Sequence, residues 1–371
     1  MPTHRRFVHR PLARAALLLV LTGCDNARPA RDDSTGTASS SADRATPAAT
    51  RVDLTGSGAT FPYPLYARWF NEYAQQRGVR INYRSEGSAA GISGVIAHTV
   101  DFGATDVPMD DAELARAGTE VAHIPTAIGA VALTYHLDGL TAPLRLDAAT
   151  IAGIFLGHIT RWDDARLAAL NPQASLPSLP IRVVHRTDGS GTSYIFSDYL
   201  SAVSTEWVRG PGRGRSIVWP VGDGGEGNEG VAGAVKQTVG TVGYVEVVYA
   251  RQNRLPVVHI RNREGTFVSP MPFEIASAAA AVLDGDLTRD LRISLVNAPG
   301  RQSYPIASFT WMLVAPQSIG AAKTRQLADF LRWALLEGAD LASTLGYVPL
   351  PSALATNVAE GLDRLAPPAS R

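Results

Sequence analysis

Cysteine is nearly absent from this chain: Cys24 stands alone among 371 residues. A lone cysteine cannot form an internal disulfide, so the fold must be held by its core. The eight histidines are scattered, with no pair at a metal-ligand spacing such as H-x-x-x-H, and no metal or cofactor is expected. Neither sign of charge prevails, with 34 Lys and Arg against 34 Asp and Glu. There is no basic stripe and no block of like charge, which excludes a nucleic-acid binder. Aromatic residues are few, at 7%. The apolar run Ala15–Leu21 is too short to span a bilayer. What is abundant is Gly (34) and Pro (24), the residues of tight turns, in a chain that is 45% hydrophobic. That is enough to bury a sizeable core, in two domains or one large one.

The first residues read as a targeting segment. Arg5, Arg6, Arg10 and Arg14 precede the apolar run, which ends in Leu21-Thr22-Gly23-Cys24. A large apolar residue, two small ones and Cys resemble a lipobox, the processing signal of bacterial lipoproteins. That resemblance implies a signal peptide over 1–23, a lipidated Cys24 and anchoring to a membrane, since two or more acyl chains hold stably where one does not. An ordinary secretory peptide with a chance Cys is the alternative, and Arg5-Arg6 leaves twin-arginine export open. Removing 1–23, which carries four Arg and no acid, takes the formal charge from 0 to −4. An anion site on such a body must be a local arrangement of donors. Residues 24–50 are rich in Ser, Thr, Ala, Asp and Pro and read as a disordered tether.

Beyond Val52, strand and helix patterns alternate. Val79–Tyr83 alternates apolar and polar as a strand does, and Ile181–Val184 and Thr241–Val245 read as short buried strands. Pro62–Gln76 is a predicted helix burying Leu65, Tyr66, Trp69, Phe70 and Tyr73, closed by Gly78. Further helical faces are Ile92, Val95 and Ile96; Ile195, Phe196, Tyr199, Leu200 and Val203; and Thr324–Leu336. The alternation predicts an α/β fold.

Three of these helices follow small, hydroxyl-rich runs: Thr55–Phe61 (TGSGATF), Ser85–Gly91 (SEGSAAG) and Thr187–Ser193 (TDGSGTS). The first N–H groups of a helix lack an internal partner, and the helix dipole makes that end partly positive. Gly lets the backbone approach a ligand, and Ser or Thr adds a hydroxyl donor. One such turn is a generic cap; three brought together could supply six or more neutral donors to one anion. Arg186, just ahead of the third run, could bind an oxyanion in bidentate fashion. Asp106 ends a strand and loop, Val100–Asp106. A surface arginine and a turn aspartate are the plainer readings. The glycine cluster Gly222–Gly230 holds three carboxylates and no Gly-Lys-Ser/Thr, and reads as a structural turn into a helix from Val231.

At these residues the chain resembles the phosphate-binding proteins of bacterial phosphate-specific ABC importers. The matching stretches are TGSGATFPYPLY (55–66), DFGATD (101–106), ITRWDDARLAALNP (159–172), RTDGSGTS (186–193), TVGYVEVVYA (241–250) and YPIASFTWML (304–313), in order over 53–350. The resemblance implies a type II periplasmic binding protein fold, in which two α/β lobes close on a ligand at a hinge. One lobe would hold 51–127 and 306–365, the other 128–305. It implies that Thr60, Phe61, Ser88, Ser190, Gly191 and Thr192 donate to inorganic phosphate, that Arg186 is the cationic contact, that Asp188 holds the arginine, and that Asp106 accepts the phosphate proton. It further implies a monomer serving a permease pair with its ATPase, outside the cytoplasm. This sequence departs from the family at Glu86, where small residues are usual, and at Ala89-Ala90, where Ser-Gly is usual. Glu86 is expected to face solvent.

The role of Asp106 follows from chemistry as well. Monohydrogen phosphate carries a P–O–H and sulfate carries none. A buried carboxylate accepts that proton and repels a bare oxyanion. Sites built to bond a hydroxyl reject the analogue lacking it by about 10⁴–10⁵-fold. The alternatives are a binder of another oxyanion, such as sulfate or molybdate, a phosphate sensor outside transport, and an enzyme. Against the last, Gly189-Ser190-Gly191 lacks the G-x-S-x-G of a nucleophile turn.

Overall fold

In the computed structural model, residues 53–283 and 290–365 are described. The signal, Cys24 and the tether lie outside them. The α/β expectation holds. Among the described residues eleven strands form: β1 (Leu54–Gly58), β2 (Ile81–Ser85), β3 (Phe102–Thr105), β4 (Ala122–Tyr135), β5 (Arg145–Leu146), β6 (Arg182–Arg186), β7 (Asp223–Gly225), β8 (Thr241–Glu246), β9 (His259–Arg261), β10 (Phe267–Val268) and β11 (Ala307–Val314). Eight of them make one mixed sheet in the order β2-β1-β3-β11-β4-β8-β6-β7, and β10-β9-β5 make a second, small one.

The register explains where a ligand could sit. β1, β2 and β3 run parallel, as do β6, β7 and β8. The 14-residue β4 joins the two groups: Ala122–Ala130 spans its pairing with β11, and Val131–Tyr135 pairs with β8. β3 reaches the level of β4 near Pro125, both meeting Trp311 of β11, and β8 ends at Val131 opposite Glu246. Since β8 runs antiparallel to β4 and β3 runs with it, the carboxyl ends of the two parallel groups face each other across the middle of β4. In open α/β sheets that crevice is where ligands bind.

The helix Tyr63–Arg77 forms as its pattern predicts. Leu65, Tyr66, Trp69, Phe70 and Tyr73 are buried on one face, and Gly78 closes it in the left-handed conformation at φ 70°. Trp69 Nε1 donates to Gly338 O at 2.8 Å, tying the helix to the C-terminal part of the chain. The helices Ser88–Ile96 and Gly191–Val203 stand where the sequence placed them, and the helix expected over Thr324–Leu336 begins three residues earlier, at Ala321. β2 begins two residues later than the alternation suggested, and β6 and β8 begin within a residue of their expected starts.

One expectation is corrected in part. Thr55–Gly58, taken as the start of a helix-opening turn, is the strand β1, and only Ala59–Pro62 forms the turn. The small residues serve packing. A side chain at Gly58, where φ is +140°, would run into the backbone of Ala104 on β3, and one at Gly91 would meet that backbone and Gly58. The absence of both lets the Ser88 helix lie directly on the sheet, which brings its first turn beside the end of β3. Among the described residues no helix is long and apolar enough to cross a membrane.

Candidate functional site

The eight residues expected to contact the ligand lie at the facing strand ends and are buried: Thr60, Phe61, Ser88 and Asp106 from one group, Arg186, Ser190, Gly191 and Thr192 from the other. Asp188 is half-buried beside them, and Cys24 lies outside the described residues.

Arg186 ends β6 and is 3% exposed. Its backbone N–H donates to the Tyr244 hydroxyl at 3.0 Å, which anchors the strand end. Its Nε donates to Asp188 Oδ1 at 2.7 Å and its Nη2 to Asp188 Oδ2, a two-pronged clamp. Nη1 remains on the other side and donates to Thr192 Oγ at 3.1 Å. Asp188 also accepts from Gly227 N at 3.0 Å. Burial pushes the Asp188 pKa up, but the hydrogen bonds and charge of Arg186 outweigh it and hold the carboxyl below its usual range. The pair therefore stays ionised, and the guanidinium plane is fixed by a partner two residues away in sequence.

The third run opens its helix as expected. Ser190 caps it, its Oγ accepting from Ser193 N at 3.0 Å. Among the described residues the N–H groups of Phe61, Gly191 and Thr192 have no acceptor, so three buried donors are available at the crevice. Gly191 is needed for close approach: a Cβ there would collide with Ser88 Oγ and the Asp106 carboxylate.

Asp106 follows β3 and is 2% exposed. Thr310 of β11 donates to its Oδ1 at 2.7 Å, and Ser88 donates to its Oδ2 at 3.4 Å. Its own N–H donates to Ser88 Oγ at 3.2 Å. Burial pushes its pKa up to about 7, against the opposing pulls of Thr310, Arg186 and Ser88. The site thus sets a permanently charged guanidinium against a carboxyl that is an ionisable acceptor near neutrality. Glu86 is exposed, as expected, with Arg84 Nε 3.7 Å from its carboxylate.

Four residues were not singled out by sequence. Asn228, fully buried, donates through Nδ2 to Thr60 Oγ at 2.7 Å and to Thr192 Oγ at 3.2 Å. Thr310 holds Asp106. Tyr249 donates from its hydroxyl to Thr60 O at 2.6 Å, and Tyr347 from its own to Phe61 O at 2.7 Å. Asn228 belongs to the glycine cluster read as a mere turn. That cluster is the edge strand β7 followed by the helix Gly227–Gln237, which starts four residues before Val231. Asp223, Glu226 and Glu229 are all exposed, while Gly225, Gly227 and Asn228 are buried. The carboxylates that argued against a ligand role are thus at the surface, whereas the asparagine among them is buried. The signal in the sequence was Asn directly after a glycine at a strand-to-helix junction.

The sequence of the PBP superfamily domain matches residues 37–337. A protein from Xylella fastidiosa (strain Temecula1) described as phosphate-binding protein PstS is 40% identical over 345 residues, covering 92% of this chain and 93% of that one. A protein of the same description from Pasteurella multocida is 41% identical over 299 residues, covering 80% and 86%. The crystal structure of a phosphate binding protein from Stenotrophomonas maltophilia superposes with a TM-score of 0.61 at 18% identity, covering 83% of this chain and 93% of that one. This last likeness speaks for the two-lobe α/β fold alone. With two relatives at 40% identity or above, matched over most of both chains, the chain belongs to the PBP superfamily and, within it, to the phosphate-binding protein PstS family.

Proposed function

We propose that the chain is the extracytoplasmic substrate-binding component of an ABC phosphate importer, holding monohydrogen phosphate between two lobes and releasing it unchanged. The observation that carries the reading is the pairing, in one buried crevice, of a clamped Arg186 with the acceptor Asp106, ringed by neutral donors. Arg186 Nη1 would meet one phosphate oxygen, as would the N–H groups of Phe61, Gly191 and Thr192 and the hydroxyls of Thr60, Ser88, Ser190 and Thr192. Asp106 would accept the P–O–H, and Asp188 would hold the arginine without touching the ligand. No step breaks a bond, so the protein is read as a carrier and not an enzyme. Turnover of p-nitrophenyl phosphate that is abolished in Ser190→Ala would contradict that.

The lobes would be 51–127 with 306–365, and 128–305, hinged where β4 passes from β11 to β8. Lipid at Cys24 would anchor a monomer to the cell membrane, at its periplasmic or outer face, near the permease and ATPase it serves. Calorimetric titration of the purified protein tests the ligand. Phosphate is expected to bind and sulfate to bind about 10⁴-fold more weakly at pH 8; equal affinities would reject the reading. Asp106→Asn is expected to raise sulfate affinity relative to phosphate.

A further inference from the structure

We infer that Asn228 is a positioning residue, fixing the hydroxyl protons of Thr60 and Thr192 so that both can only donate toward the ligand, an inference that rests on the anion reading of the crevice. A threonine hydroxyl has one proton and two lone pairs. Thr60 Oγ receives the Asn228 side-chain amide at 2.7 Å and the Asn228 backbone N–H at 3.4 Å. Thr192 Oγ receives the same amide at 3.2 Å and Arg186 Nη1 at 3.1 Å. Each oxygen thus takes two N–H donors, which commits both lone pairs and leaves only the proton to offer. Among the described residues neither hydroxyl donates to a protein acceptor.

The orientation of the amide is itself fixed. Asn228 Oδ1 accepts from Glu246 N at 2.8 Å, so turning the amide over would set its NH₂ against a backbone N–H. All three side chains are at most 2% exposed, so water does not compete for these bonds. An oxyanion presents almost only acceptors. A hydroxyl free to rotate could turn a lone pair toward it; one whose lone pairs are occupied cannot. Asn228 and Thr60 also sit on opposite strand groups, so the arrangement is completed as the crevice closes.

A thermodynamic cycle tests this, with phosphate titrated by calorimetry at pH 8. Asn228→Ala is expected to weaken binding about 10-fold or more in the native background, on the usual worth of a hydrogen bond to a charged group. In the Thr60→Val, Thr192→Val background it is expected to cost less than about 2-fold, because no hydroxyl remains to be oriented. An equal cost in both backgrounds would mean a packing role and would overturn the inference. If Asn228→Ala does not fold, Asn228→Asp keeps the shape and the bond from Glu246 N but turns two donors into acceptors. It is expected to weaken phosphate binding at least about 100-fold at pH 8; native-like binding would overturn the inference. A native protein that does not bind phosphate would defeat the reading beneath it instead.

Discussion

Asp106 is held by two opposing demands. To read a proton on a ligand it must be ionised, and to do so away from water it must accept the desolvation that pushes its pKa from 3.8 to about 7. The raised folded-state value fixes the sign of its effect on stability. The group favours the folded protein fully below pH 3.8, and that contribution is lost as the pH rises through about 7. Asp106→Asn keeps the shape and has no charge to desolvate. In urea melts of the ligand-free protein, its stability relative to the native protein is expected to rise by about 2–4 kcal/mol between pH 4.5 and 8. Parallel curves would refute the assignment. The same titration bears on specificity. Once protonated, Asp106 can donate to a bare oxyanion, so sulfate is expected to compete better as the pH falls below about 7, and Asp106→Asn to lose that pH dependence. Asp188 has the reverse sign, its pKa being lowered. Its contribution is present above the unfolded value and fades as the pH falls, which is why the comparison needs the Asp106 variant. Removing the arginine leaves Asp188 in a half-buried pocket without its partner. Arg186→Ala is therefore expected to cost roughly 3–5 kcal/mol of stability as well as phosphate affinity. Arg186→Lys should abolish binding almost as completely, because a lysine cannot hold the carboxylate in a fork and reach outward at once.

At the scale of elements, the helix openings were legible because their signals are local. Pro ahead of Tyr63, the Ser190 cap and the buried faces all follow from short-range rules. What stayed hidden depends on residues far apart in sequence. β1 reads as a loop until β3 and the Ser88 helix are laid against it, and its glycines then mark contact. Asn228 was discounted because charges were counted along the chain, whereas exposure separates Glu226 and Glu229 from it. Thr310 lies on a mostly apolar strand, and only its pairing with Asp106, 204 residues away, gives it meaning. Gly191 tests the idea that glycine here serves proximity. Gly191→Ala leaves a favourable helix position but sets a methyl group against Ser88 and Asp106. It is expected to leave thermal stability within about 1 kcal/mol, since the crevice can open to relieve the clash, and to weaken phosphate binding about 10-fold or more. Unchanged affinity would show that the two strand groups need not approach so closely.

For the molecule as a whole, the two strand groups are legible in sequence only through the resemblance, which set a boundary between residues 127 and 128. In the sheet, β4 passes from β11 to β8 between Ala130 and Val131. Hand-over within one continuous strand leaves few backbone torsions to absorb a rotation, which suits a hinge. Across the crevice the groups are joined by polar links: Asn228 and Tyr249 to Thr60, Ala89 N to Gly189 O at 2.9 Å, and Arg215 to Glu113. Such links would exchange with water if the proposed lobes part. Phosphate, touching both sides, would add binding energy only to the closed form and so shift the population toward it. Small-angle scattering is expected to show a smaller radius of gyration on adding phosphate, and none on adding sulfate at pH 8. Arg215→Ala removes one partly exposed link and nothing that touches the ligand. It is expected to weaken phosphate affinity by no more than about 5-fold while enlarging the ligand-free particle. If phosphate binds tightly yet the radius is constant in both proteins, the crevice is preformed and β4 is a rigid spine.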